Sequence, residues 1–132
     1  MEQLLTGSFK KTELKKLKGI FPIVYSFFNK NNSLDKKLIT EQIELILDIG
    51  SNGIACLGLA TEVHKLSFRE KQTIIELISK TCEGKIPIAV TIQGNSFKEY
   101  VELINVAKSN EANWIILHPF LKNKKKSEQD CY

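Results

Sequence analysis

GIACLGLATEVHKLSFREKQTIIELISKTCEGKIPIAVTI, Gly53 to Ile92, holds one full repeat of the architecture. Its first six residues, Gly53–Gly58, are apolar without alternation, the pattern of a strand covered on both faces. Ser67 and Glu70 stand at capping-box spacing, so a helix is expected to follow Ser67. Ile74, Ile75, Ile78 and Cys82 give that helix its apolar stripe, and Gly84 supplies a stop. Ile86–Ile92 is β-branched and apolar, a second strand. Between strand and helix lies LGLATEVHKLS, Leu57–Ser67, which carries a glycine, a threonine, a glutamate and a histidine where a strand ends.

The same pattern extends in both directions. GIFPIVYSF, Gly19–Phe27, has strand composition. NKNNSLD, Asn29–Asp35, is a loop whose Ser33 and Asp35 suit a helix N-terminus. Ile39, Ile43, Ile46 and Leu47 then recur at helical spacing up to Gly50. Ser96 and Glu99 repeat the capping-box spacing ahead of Tyr100, Val101, Ile104 and Ala107. NWIIL, Asn113–Leu117, closes the series as a fourth strand, and SEQDCY, Ser127–Tyr132, has the composition of a further helix start. One strand and one helix repeat about every thirty residues, as βαβ construction requires. Right-handed crossovers make the four strands parallel. An open doubly wound sheet and part of an eight-stranded barrel both accept this order, and both place chemistry at the carboxyl ends of the strands. The first βα loop, Phe28–Asp35, contains no glycine, which argues against dinucleotide binding.

Composition sets the outer limits. A chain of 132 residues suits one domain, and 42% hydrophobic with 26% charged residues is globular rather than disordered. Its division is expected to be an extension with a short helix over 1–18 and a partial barrel over 19–132. No apolar run is long enough to cross a membrane, and the N-terminal stretch lacks the core of a signal peptide. Cys56, Cys82 and Cys131 are an odd count without C-x-x-C spacing, which favours reduced thiols and a cytoplasmic protein. The net charge of +4 sits in two lysine clusters, Lys10–Lys18 and Lys122–Lys126. No aromatic residues are interleaved with them, so solvated surface is expected and nucleic acid is not.

GIFPIVYSFF, the SLD before the first helix, NGIACLGLATEVHKLS, IPIAVTIQGNS and WIILHPFLKNKKKSEQD occur in a telling order and spacing. Together they resemble the dihydrodipicolinate synthase / N-acetylneuraminate lyase family from about Leu17 to Tyr132. The resemblance implies the N-terminal half of a (β/α)8 barrel, with four of its eight strands. It implies a lyase or aldolase that binds pyruvate or a related 2-keto acid as a Schiff base on a lysine. It also implies a homo-oligomer, commonly a tetramer, with no separate cofactor. The family's lysine and its tyrosine partner belong to the fifth and sixth strands, beyond the four present here.

The resemblance also marks where this chain departs. The family's G-T-T-G-E falls on Gly58, Leu59, Ala60, Thr61 and Glu62, so two carboxylate-binding hydroxyls are replaced by apolar side chains. The main-chain N–H groups of Ala60 and Thr61, and the hydroxyl of Thr61, are left as candidate ligand contacts. P-P-Y-Y falls on His118, Pro119, Phe120 and Leu121, which removes a phenol and makes His118 a pocket candidate. Gly53, Gly58, Glu62, Ser67, Asn95 and Pro119 keep the pattern, with Gly58 expected to turn the chain out of its strand. The substrate-binding set is therefore Leu59, Ala60, Thr61 and His118, with no catalytic residue and no metal ligand assigned.

Each candidate also has a plain structural reading. Asn95 suits a turn or cap, Trp114 and Phe120 suit packing, and Cys56 suits an inert buried position. Lys65 and Lys85 lie in charged surroundings that do not activate an amine for Schiff-base chemistry. Three function classes stay open: a 2-keto-acid lyase, a non-catalytic half-barrel that pairs with itself or a partner half, and a metal-dependent barrel enzyme using Glu62, His64 and His118.

Overall fold

The computed structural model describes residues 17–119. The expected short helix before Gly19, Phe120 and the helix start at Ser127 lie outside those residues. Within them run helix α1 (Lys36–Asp48), strand β1 (Ile54–Cys56), two short 3-10 turns (Leu59–Thr61 and Val63–Lys65) and helix α2 (Phe68–Cys82). Strand β2 (Ile88–Ile92), helix α3 (Phe97–Ser109) and strand β3 (Trp114–Leu117) follow. The three strands form one parallel sheet in the order β1-β2-β3.

The fourth parallel strand, expected at Gly19–Phe27, is reduced to a single parallel bridge between Ile23 and Ala55. Val24 N–H donates to the Ala55 carbonyl and Ala55 N–H donates to the Pro22 carbonyl, both at 2.9 Å. The ladder stops there for two reasons. Pro22 has no N–H to donate, and the Val24 carbonyl accepts the Thr61 hydroxyl instead, at 2.6 Å.

The helices form where the caps place them. Asp35 Oδ1 accepts the Leu38 N–H at 3.0 Å and starts α1. Ser67 and Glu70 complete both halves of a capping box at α2. Gly50 and Gly84, with φ of 73° and 71°, take up the left-handed backbone just past α1 and α2. Ser96 Oγ accepts the Glu99 N–H at 3.1 Å, but the Glu99 carboxylate turns elsewhere, so the box at α3 is half made.

Alternation along β2 divides the sheet. Ile88, Val90 and Ile92 face the helices and join Ile54 and Cys56 of β1 in the core. Ile39, Ile43 and Ile46 of α1 and Ile74, Ile75 and Ile78 of α2 cover them, with Leu103 and Ala107 of α3. Val101, expected in the α3 stripe, is only half-buried, and Leu103 takes the buried position. Each fully buried aliphatic side chain here contributes about 1.5–3 kcal/mol.

The opposite face carries Ala55, Ala89 and Thr91, with Trp114 and Ile116 in register beside the last two. Ile116 on that face is 47% exposed, and Leu117 on the helix side of β3 is 63% exposed. Apolar side chains thus reach solvent on both faces of β3. The purified 132-residue chain is therefore expected to self-associate and to bind the dye ANS. Light scattering and dye fluorescence check this; a dye-silent 15.0 kDa monomer with a cooperative melt would contradict it.

Candidate active site

The carboxyl ends of β1, β2 and β3 and the bridged segment at Ile23 bring four chain segments to one end of the sheet. The β1–α2 loop is held by hydrogen bonds to the segment before α1. The chain leaves β1 at Leu57, whose φ of 59° is left-handed although its side chain is fully buried. Gly58 was expected to make that turn. It has an ordinary extended backbone (φ −84°, ψ −171°), and a Cβ added to it would meet nothing closer than 3.6 Å. Buried packing of the Leu57 side chain holds a conformation that leucine does not favour in isolation.

Thr61 is fully buried and turned away from solvent. Its hydroxyl donates to the Val24 carbonyl, and its own carbonyl accepts the Ser26 hydroxyl at 2.7 Å. Its N–H donates to the Gly58 carbonyl at 3.1 Å, closing the 3-10 turn. Both donors of Thr61 that the sequence offered to a ligand are therefore already engaged. Leu59 is 77% exposed and Ala60 is also exposed, so these two residues form the solvent side of the turn. His118 lies just beyond β3 and is half-buried. Its N–H donates to the Ile92 carbonyl at 3.1 Å, and its carbonyl accepts the Tyr100 hydroxyl at 2.9 Å.

Glu62 and His64 are exposed in the second 3-10 turn. Glu62 bonds Lys65 at 2.7 Å, and that hydrogen bond with the lysine charge holds the carboxyl below its usual range. Among the described residues no three His, Cys, Asp or Glu side chains converge as a metal site requires. Burial pushes the Cys56 thiol up to about 12, with Cys82 adding to it, and burial pushes Cys82 up to about 11. Neither supplies a thiolate nucleophile at neutral pH.

An ion pair that sequence reasoning missed lies beside this end of the sheet. Lys71 of α2 is buried, and its Nζ bonds Glu99 Oε1 of α3 at 2.9 Å and the Gln93 carbonyl at 3.1 Å. Glu99 Oε2 also accepts the Asn95 N–H at 2.8 Å. The pair fastens the β2–α3 loop to both flanking helices. Helical spacing puts Lys71 on the same face as Ile74, Ile75 and Ile78, but a lysine there reads as an interruption of the apolar stripe rather than as a buried residue. Ser26 was missed for a similar reason: nothing local identifies its partner, which is 35 positions away.

The sequence profile of the Dihydrodipicolinate synthetase family matches residues 16–132. This chain belongs to that family. It is 31% identical over 101 residues to the 4-hydroxy-tetrahydrodipicolinate synthase of Methanococcus aeolicus, a match spanning 76% of this chain and 35% of the relative. It is 27% identical over 108 residues to the probable 2-dehydro-3-deoxy-D-pentonate aldolase YjhH of Escherichia coli, spanning 81% and 36%. Among solved structures it is similar to N-acetylneuraminate lyase from Mycoplasma synoviae, with a TM-score of 0.75 at 25% identity over 79% of this chain and 36% of that one. It is also similar in fold to YagE of Escherichia coli, solved in complex with pyruvate, with a TM-score of 0.77 at 24% identity over 87% and 38%. The chain thus spans a little over a third of the length of the relatives it matches. Its fold is a partial barrel of the dihydrodipicolinate synthetase type, as the family resemblance implied, rather than the open doubly wound sheet that the strand and helix order also allowed.

Burial alone would raise the Glu99 carboxyl; the Asn95 N–H and the Lys71 ammonium outweigh it and hold the group below its usual range. A carboxyl so depressed stabilises the fold fully above the ordinary carboxylate pKa, and that contribution disappears as pH falls through the folded value. Glu99→Gln leaves a buried ammonium without its counter-charge and is expected to cost about 3–5 kcal/mol at neutral pH. Urea unfolding should show the difference between wild type and variant shrinking as pH is lowered below about 4.

Proposed function

We propose that this chain forms the first half of a lyase or aldolase acting on pyruvate or a related 2-keto acid, with the Schiff-base lysine supplied by a second half of the barrel. The observation that carries the reading is the family match across the strand ends and the Leu59–Thr61 turn. Support comes also from YagE, a structure of the same fold solved with pyruvate. The domain would run from Gly19 onward and work as a homo-oligomer. Cys56 and Cys82 are buried free cysteines, which suits a reducing compartment such as the cytoplasm.

Within this reading Leu59 and Ala60 line the mouth of the pocket as apolar contacts, and His118 borders it at the end of β3. Thr61 holds the turn in place rather than the substrate, because its hydroxyl is engaged by Val24. The Schiff base cannot form on the lysines near this end. Lys65 is more than half exposed, Lys85 is equally exposed and stands before the amino end of β2, away from this end, and the Lys71 amine is tied to Glu99 and the Gln93 carbonyl. A second reading, a non-catalytic half-barrel that pairs with itself or another half, is favoured by the apolar side chains exposed on both faces of β3.

Two outcomes are expected. Pyruvate with borohydride should leave the intact mass of the 132-residue chain unchanged; a stoichiometric adduct at one lysine would contradict the assignment. In a complete protein, Leu59→Thr with Ala60→Thr should tighten pyruvate binding, since each regained hydrogen bond to a carboxylate contributes about 1.5–3 kcal/mol. Calorimetry of the two forms measures this, and equal affinities would place the carboxylate elsewhere.

A further inference from the structure

The geometry points to Thr91 as a ligand-contacting hydroxyl of this site, taking over polar recognition that the Leu59–Ala60 turn cannot provide. Thr91 is the one hydroxyl residue in β2, one position before the strand's carboxyl end. It lies on the face that carries Ala89 and, in register, Ile116, away from the helix-side core of Ile88, Val90 and Ile92. That face is the interior of the barrel, where a substrate sits at the carboxyl ends of the strands. The side chain also adjoins the turn: a Cβ built on Gly58 would come within 3.9 Å of Thr91 Oγ1 and 3.6 Å of Ile23 Cδ1.

The state of the hydroxyl is the second observation. Thr91 is only 4% exposed, yet among the described residues its Oγ1 has no hydrogen-bond partner. Nor is this oxygen sealed off. The sole fully enclosed side-chain polar atom without a partner among the described residues is Gln93 Oε1. Thr91 Oγ1 therefore reaches the interior surface and can donate there. Thr61 contrasts with it: equally buried, but with its proton committed to Val24. The hydroxyl near the turn that remains available is on the neighbouring strand, and an oxygen of a 2-keto acid is the acceptor it suits.

This inference rests on the 2-keto-acid reading, and one titration separates the two. Pyruvate, and 2-ketobutyrate as a second probe, are titrated into a complete protein containing this chain and into its Thr91→Val, Thr91→Ser and Thr91→Ala variants by NMR, with thermal unfolding as a check on folding. Thr91→Val keeps the shape and removes the hydroxyl, and should weaken binding by about tenfold or more. Thr91→Ser keeps the hydroxyl and should stay within about threefold of wild type, which loss of packing alone would not predict. If Thr91→Val does not fold, the Thr91→Ala and Thr91→Ser pair gives the same comparison. Wild-type binding that is unchanged in the hydroxyl-free variants overturns the role of Thr91 and leaves the 2-keto-acid reading standing. Wild type that binds neither acid overturns both.

Discussion

The bond from the Thr61 hydroxyl to the Val24 carbonyl joins the segment before α1 to the loop after β1. It ends the pairing of that segment with β1 and fixes the height at which the loop leaves the sheet. The Ser26 hydroxyl on the Thr61 carbonyl makes the tie reciprocal, so two chain segments far apart in sequence share one hydrogen-bonded corner. The corner is buried, and loss of either partner there strands a polar group at a cost of about 1–3 kcal/mol. The left-handed Leu57, the 3-10 turn Leu59–Thr61 and the exposure of Leu59 all follow from where this corner holds the chain.

A second corner does the same work one strand along. Lys71 and Glu99 meet between α2 and α3 and take the Gln93 carbonyl and the Asn95 N–H with them. A buried pair of this kind adds little net stability, because desolvation opposes the attraction. Its effect is on geometry, since only one arrangement of the β2–α3 loop satisfies all four groups. The two corners give this end of the sheet a defined shape among the described residues.

Most of the architecture was legible in the sequence. Ser67 with Glu70 starts a helix by local hydrogen bonding, and the observed box is complete. The stripe Ile74, Ile75, Ile78 and Cys82 is buried because helical spacing puts those residues on one face. Gly19–Phe27 was less legible. Its composition is that of a strand, but pairing depends on what the neighbouring chain offers, and Pro22 and Thr61 leave room for one bridge. The candidate site divides the same way. Leu57–Ser67 was legible as a loop by its place after a strand, whereas which of its groups stay available was decided by partners distant in sequence.

The sequence by itself determined the order of strands and helices, the caps that start the helices and the faces they bury. Those features depend on neighbours within a few positions, where spacing and side-chain type are sufficient. Only the tertiary structure decided that Thr61 turns inward to Val24, that Lys71 is buried against Glu99 and that Thr91 has a hydroxyl on the barrel side of the sheet without a partner among the described residues. Each of these depends on contacts between residues more than 20 positions apart or on the packing of separate elements. Hydrogen-bond partners of that kind are set by how the layers meet, and no local pattern of residues encodes them.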